Sequence, residues 1–226
     1  MVAHDIEVRA AQLRGLEARA ASRRGRKAAN GGRPRRVRAV MFERAGRLVA
    51  VTAAPTIDDG TADQAGRWIA AVREAVEDFP PDYPSPEWIS LLWSGAVRRL
   101  AESPGTDLGQ VATAILAAES APGGAVDYEL AVAGPMAASL FGAGIHQDLE
   151  TMRTPDTVLG TGPGETPCRI HVDRLGADQA LLLTSGVDPA RFAQLQERPG
   201  PLGTAWVLES ERAEADQLAL VLWGER

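Results

Sequence analysis

Two helical stripes stand side by side in a chain whose other apolar runs alternate, and this grouping limits the possible folds more than any other feature. In the first stripe Ala65, Trp68, Ile69, Val72, Val76 and Phe79 keep the 3.6-residue helical period. In the second, Ile89, Leu92, Trp93, Ala96, Val97 and Leu100 keep it again. Ser85 before Pro86 supplies an N-cap and a first-turn proline. The run Pro80-Pro81-Asp82-Tyr83-Pro84 makes a stiff break between the two helices.

Strands flank this pair. Val37 to Glu43 and Leu48 to Thr52 are joined by the turn Arg44-Ala45-Gly46-Arg47. The second of them is apolar on both faces, as a central buried strand is. After the helices, Val111, Thr113, Ile115 and Ala117 alternate, and Pro122-Gly123-Gly124 turns the chain. Val126, Tyr128, Leu130 and Val132 then alternate with Asp127 and Glu129, the pattern of a half-buried strand. Ala137 to Phe141 and Ile145 to Leu149 read as a hairpin about Gly142-Ala143-Gly144. Residues 151–167 read as a long loop. Cys168, Ile170 and Val172 alternate, Ala180 to Leu183 is apolar, and Asp188-Pro189 opens a short predicted helix to about Gln196. Leu218 to Trp223 is a last strand. Strands grouped apart from helices argue an α+β fold, with the helix pair on one sheet face to bury its tryptophans. There is no internal repeat.

Charge divides the chain. Residues 1–47 hold 13 Lys and Arg against 4 Asp and Glu, a net of +9, whereas the remainder nets −15. Residues 5–29 read as a basic helix capped by Asp5, with Ile6, Ala10, Leu13, Leu16 and Ala20 near one face. The sequence thus divides into an arm and linker, 1–34, ending in Asn30-Gly31-Gly32-Arg33-Pro34, and a folded body, 35–226. Arg23, Arg24, Arg26 and Lys27 form its anion-binding stretch, suited to a nucleic acid or an acidic protein surface. So alanine-rich a helix buries little, and the arm is expected to be separable without loss of stability.

In 226 residues the single cysteine excludes an intramolecular disulfide framework and any CxxC metal or redox site. No apolar run approaches the roughly 18 residues of a membrane span, and no secretory h-region opens the chain. A cytoplasmic protein with no membrane contact is expected. His4, His146 and His171 lack a zinc-site spacing. Thr184-Ser185-Gly186 is not a nucleophile elbow. Gly160-Thr161-Gly162-Pro163-Gly164 lacks the Lys-Ser/Thr of a phosphate loop. Cys168 reads as a structural thiol. Asp58, Asp59 and Asp63 make the best carboxylate cluster, although a helix N-terminus by itself accounts for Asp63.

Four segments in order carry a family resemblance. Gly46 to Ala54 (GRLVAVTAA) looks like a strand that ends in Asp-Gly. Leu130 to Phe141 (LAVAGPMAASLF) looks like strand, Gly-Asp-Ser-Arg and strand. Val172 to Val187 looks like the segment ending in Leu-Leu-x-Thr-Asp-Gly. Asp216 to Leu222 looks like a terminal Asp-Asn-x-Thr and its strand. Together they resemble the metal-dependent protein phosphatases (type 2C, or PPM, serine/threonine phosphatases) over residues 37–224. The resemblance implies an α/β/β/α sandwich of two mainly antiparallel sheets flanked by helices, with the basic helical arm in front.

In that family acidic residues hold two divalent metals that activate the attacking water. At the matching positions this chain has Ala53-Ala54, Gly134-Pro135-Met136-Ala137 and Ser185, and only Asp216 keeps its carboxylate. Arg38 and Arg44 are the candidates for a phosphate-binding arginine. A hard divalent cation needs several oxygen ligands, which alanine and proline side chains cannot supply. The expectation is therefore a pseudophosphatase with no catalytic residues and no cofactor, acting on a protein partner. Two alternatives stand beside it: a hydrolase whose manganese or magnesium site has moved to Asp58, Asp59 and Asp216, and a nucleic-acid- or ribosome-associated protein that binds through the arm.

Overall fold

Thirteen strands and helices are described in the computed structural model, which covers residues 6–23, 37–55, 64–79, 87–102, 111–134, 136–142, 145–149, 168–185 and 217–224. In chain order they are β1 (Ile6–Leu13), β2 (Leu16–Arg23), β3 (Arg38–Arg44), β4 (Arg47–Pro55), α1 (Gln64–Asp78), α2 (Glu87–Glu102), β5 (Val111–Ser120), β6 (Val126–Ala133), β7 (Ala137–Gly142), β8 (Ile145–Asp148), β9 (Arg169–Leu175), β10 (Gln179–Ser185) and β11 (Gln217–Gly224). They form a five-stranded sheet, β3-β4-β5-β6-β9, and a six-stranded sheet, β1-β2-β11-β10-β7-β8. Every pairing in both is antiparallel.

Period-two alternation splits each central strand between two interfaces. Leu48, Ala50 and Ala54 of β4, with Ala112, Ala114, Leu116 and Leu130, face the second sheet, where Leu16, Ala18, Leu181, Leu183, Leu218 and Leu220 meet them. Val49, Val51 and Ala53, with Ile115, Ala117 and Ala131, face the helices. The helical stripes land there as expected: Trp68 and Trp93 meet edge to face, centroids 5.1 Å apart. This cover also buries Glu129, which the alternation had placed on a half-exposed face. The outer face of the six-stranded sheet buries Ala21, Phe141, Leu182 and Val221. The short helix expected from Asp188, the loop 151–167 and the Ser85-Pro86 cap lie outside the described residues.

The N-terminal reading needs correction. Residues 6–23 are not a helix but a hairpin. Leu13 pairs with Leu16 across the two-residue turn Arg14-Gly15, where Gly15 takes φ +82°. The Ser120 hydroxyl donates to the Arg14 carbonyl and fastens this turn to the end of β5. β2 then pairs with β11 over eight residue pairs, from Arg23↔Gln217 to Leu16↔Gly224. An alanine-rich run satisfies both periods. Leu16, Ala18 and Ala20 also alternate, and pairing with β11 decides between the two because it buries all three and satisfies the backbone of both strands. The basic stretch Arg24, Arg26 and Lys27 lies outside the described residues; Arg23 ends β2.

The hairpin is therefore core, and deleting residues 1–34 uncovers Leu218, Leu220 and Leu222 and opens the edge of β11. The truncated chain is expected to lose cooperative unfolding, or to melt more than ~10 °C lower, by calorimetry; an unchanged melting temperature would refute the assignment.

Candidate functional site

The two sheets are tied together at one end. β6 leaves the five-stranded sheet at Ala133, and β7 enters the six-stranded sheet at Ala137, so the crossing takes only Gly134 to Met136. Gly134 has φ +84°, open to glycine at little cost, and its carbonyl accepts from the Met136 N–H. The register brings other strand ends to the same place. Ala54 pairs with Ala112, and Thr113 with Ala133; Thr184 pairs with Ala137, and Ser185 with Leu218. Thus β4, β6 and β10 finish here, and β5, β7 and β11 begin here.

Three of the segments singled out in the sequence meet at this end: Ala53-Ala54 closing β4, Gly134 and Met136 in the crossing, and Ser185 closing β10. Pro135, Asp216, Asp58 and Asp59 lie outside the described residues; Gln217, which follows Asp216, is fully buried. Arg38 opens β3 directly opposite Ala53. Arg44 is at the other end of that strand, its guanidinium donating to the Glu77 carbonyl, so only Arg38 is at the candidate site.

The described interior of this end is apolar. Ala53 and Ala54 are 0% and 5% exposed, and Met136 is 1% exposed. Its buried polar side chains include Thr52, Thr113, Thr184 and Gln217; in the sequence Thr52 and Thr113 read as ordinary strand residues. Thr113 Oγ1 donates to the Thr52 carbonyl and accepts the Trp68 indole N–H, both at 2.5 Å. Thr52 Oγ1 accepts from the Ala114 N–H at 3.2 Å and lies 3.5 Å from the Met136 sulfur. The first pair links α1 to the sheet, and the second links the sheets to each other. Among the described residues, no three His, Cys, Asp or Glu side chains gather as a cation would require.

The polar groove lies at the opposite end. A cavity of about 370 Å³ is lined by Arg47, Glu119, Asp127, Glu129 and Arg174, among others. Arg47 is 3.4 Å from Glu119 and 3.8 Å from buried Glu129, and its guanidinium covers the Trp88 ring at 5.3 Å. Arg174 donates twice to Asp127, at 2.5 and 2.8 Å, and these bonds hold the Asp127 carboxyl below the ordinary aspartate range. The pair's small contribution is present above about pH 4 and is lost as acid protonates Asp127. Cys168 packs half-buried against the helix-facing core, and burial raises its thiol to about 11.

No family model and no curated protein matches the sequence. Solved structures do match it. RsbX, crystallised in complex with magnesium, superposes with a TM-score of 0.67 at 12% identity, over 97% of this chain and 100% of that one. The PP2C phosphatase domain of the cell fate determinant SpoIIE from Bacillus subtilis, solved with a fragment of its regulatory domain, gives 0.62 at 12% identity, over 99% of this chain and 71% of that one. The Mycobacterium tuberculosis serine/threonine phosphatase PstP gives 0.62 at 16% identity, over 94% and 100%. At such identities the likeness is one of fold: the chain has the PP2C-type phosphatase fold.

Two measurements check this description. Thr113→Val strands the buried Trp68 N–H without its acceptor and should cost about 1–3 kcal/mol in denaturant unfolding. Cys168 should react with iodoacetamide at pH 8 at least ~10-fold more slowly in the native than in the unfolded chain, because little of the buried thiol is thiolate.

Proposed function

We propose that this protein is a catalytically degenerate phosphatase-like domain that acts by binding another protein and not by hydrolysing phosphoesters. The observation that carries this reading is the apolar packing of the strand ends where the resemblance puts metal-binding acids. Ala53 and Ala54 are buried without an oxygen to offer, and Met136 turns a thioether toward Thr52. The oxygens that the described residues do bring here are few. Thr52 and Thr113 already hold backbone and indole partners, which leaves the Ser185 and Thr184 hydroxyls and the Gln217 amide oxygen, none of them a carboxylate.

Such residues do not fit a pair of hard divalent cations. Each cation would take about six oxygen ligands, with carboxylates to offset its charge. Asp216, which the resemblance aligns with a retained acid, supplies one carboxylate, and one carboxylate cannot replace several. The cost of rebuilding is also steric. An aspartate at Ala53 or Ala54 would need volume that the close-packed core does not have.

A fold of this size kept without its metal chemistry still presents strand edges, loops and charged faces. A regulatory role through protein contact follows from what remains. The expected result is no hydrolysis of p-nitrophenyl phosphate or a phosphoserine peptide above the protein-free rate in millimolar Mn²⁺ or Mg²⁺, with no calorimetric Mn²⁺ site tighter than ~1 mM. A stoichiometric micromolar site that Asp216→Asn abolishes would overturn the proposal in favour of a relocated metal site with Asp58 and Asp59.

A further inference from the structure

β9 is the last strand of its sheet among the described residues. It pairs with β6 along one side, from Val126↔Leu175 to Val132↔Arg169, and among the described residues no strand takes its other side. The alternation of Cys168, Ile170 and Val172 suggested a buried row. The structure differs: Ile170 is 40% and Val172 48% exposed, and they are the large hydrophobic residues that stand out among the described residues. Both lie beyond the helical cover, opposite Ala131 and Glu129 of β6. Exposed branched side chains on an open strand edge are what monomeric sheets usually avoid.

We propose that this edge is a homodimer interface, in which β9 pairs antiparallel with β9 of a second copy about a twofold axis at His171. The sequence of the strand selects both the partner and the register. Residues directly opposite in an antiparallel ladder share a face, so a symmetric pairing must centre on a residue and not between two. Centred on His171, the ladder sets Ile170 against Val172 twice and Arg169 against Asp173 twice. The two pairs nearest the axis on each side are then apolar with apolar and opposite in charge, the combinations that stabilise neighbouring strands, and the next pair out sets Cys168 against Arg174. Centred on Val172, the same strand gains Val172 against itself and His171 against Asp173 but sets Ile170 against Arg174 and Arg169 against Leu175. Centred on Asp173, it faces two carboxylates. The register at His171 makes the best pairs nearest the axis, and only an identical strand supplies that symmetry.

The contact adds a strand pair and little else. Its area is small beside the roughly 1,200 Å² of a stable standard interface, so a weak dimer is expected. The five-stranded sheets of two copies would join into one continuous ten-stranded sheet, with the helical layers of both on the same side at the junction. The dimer does not depend on the catalytic status of the strand-end site, so the two proposals fail separately.

Sedimentation velocity of the full chain between about 5 and 200 µM tests it. The wild-type protein should pass from monomer to dimer over this range. Val172→Lys and Ile170→Lys should each weaken the dimer at least ~10-fold while leaving the melting temperature unchanged, since both side chains are exposed. In a Cys168→Ser background, His171→Cys should form an intermolecular disulfide under mild oxidation faster than Val172→Cys, because only the former sits opposite its own copy. A wild-type chain monomeric at ~200 µM, a dimer indifferent to Val172→Lys, or preferential cross-linking through Val172→Cys would each overturn the proposal.

Discussion

The five-stranded sheet must be covered on both faces, and the rest of the structure follows from that. β4 and β5 carry apolar residues at almost every position, with Val49, Val51 and Ile115 on one face and Leu48, Ala50 and Leu116 on the other. Either face left to water would forfeit a large share of the hydrophobic free energy available to the chain. Helices α1 and α2 meet one need and the second sheet the other. Among the described residues the buried charge is Glu129, and it lies beside Arg47, which in turn covers Trp88.

This double cover explains why the strand-end site is reached from the end of the sandwich and not from a face. The chain passes between sheets in three residues, and the short crossing gathers the ends of β4, β6 and β10 around Met136. In a fold built this way, a few residues at strand ends decide whether the cleft holds hydrated ions or closes by packing. Here two adjacent alanines and a methionine pack between the layers, and Thr52 and Thr113 bond to backbone and indole groups around them.

Legibility in the sequence tracked how local each signal was. The helices were plain because tryptophan-bearing stripes recur every 3.6 residues over four turns. The β3-β4 and β7-β8 hairpins were plain because a glycine turn separates two short apolar runs. The N-terminal hairpin was not, although Leu13-Arg14-Gly15-Leu16 carries the turn. Small alanines fit a helical stripe and an alternating strand equally well, and the arginines between them suggested a solvated arm. Ile170 and Val172 misled in the opposite sense, since alternation reports which residues share a face but not whether anything covers it. The strand-end positions were found through the order of four segments, whereas the Thr52, Thr113 and Trp68 network gave no sequence signal, because each residue is ordinary in its own element.

The sequence by itself determined the elements of the body, their α+β grouping and the residues available at each strand end, because periodicity and turn chemistry act over a few neighbours. Tertiary structure alone decided that residues 6–23 are strands, that Glu129 is buried and that Ile170 and Val172 on β9 are exposed. Each of these depends on what lies across a ladder or above a face, often a hundred or more residues away along the chain. β2 is a strand because β11, nearly two hundred residues later, offers it a full ladder and a buried face, and no local preference of an alanine-rich segment can outweigh both.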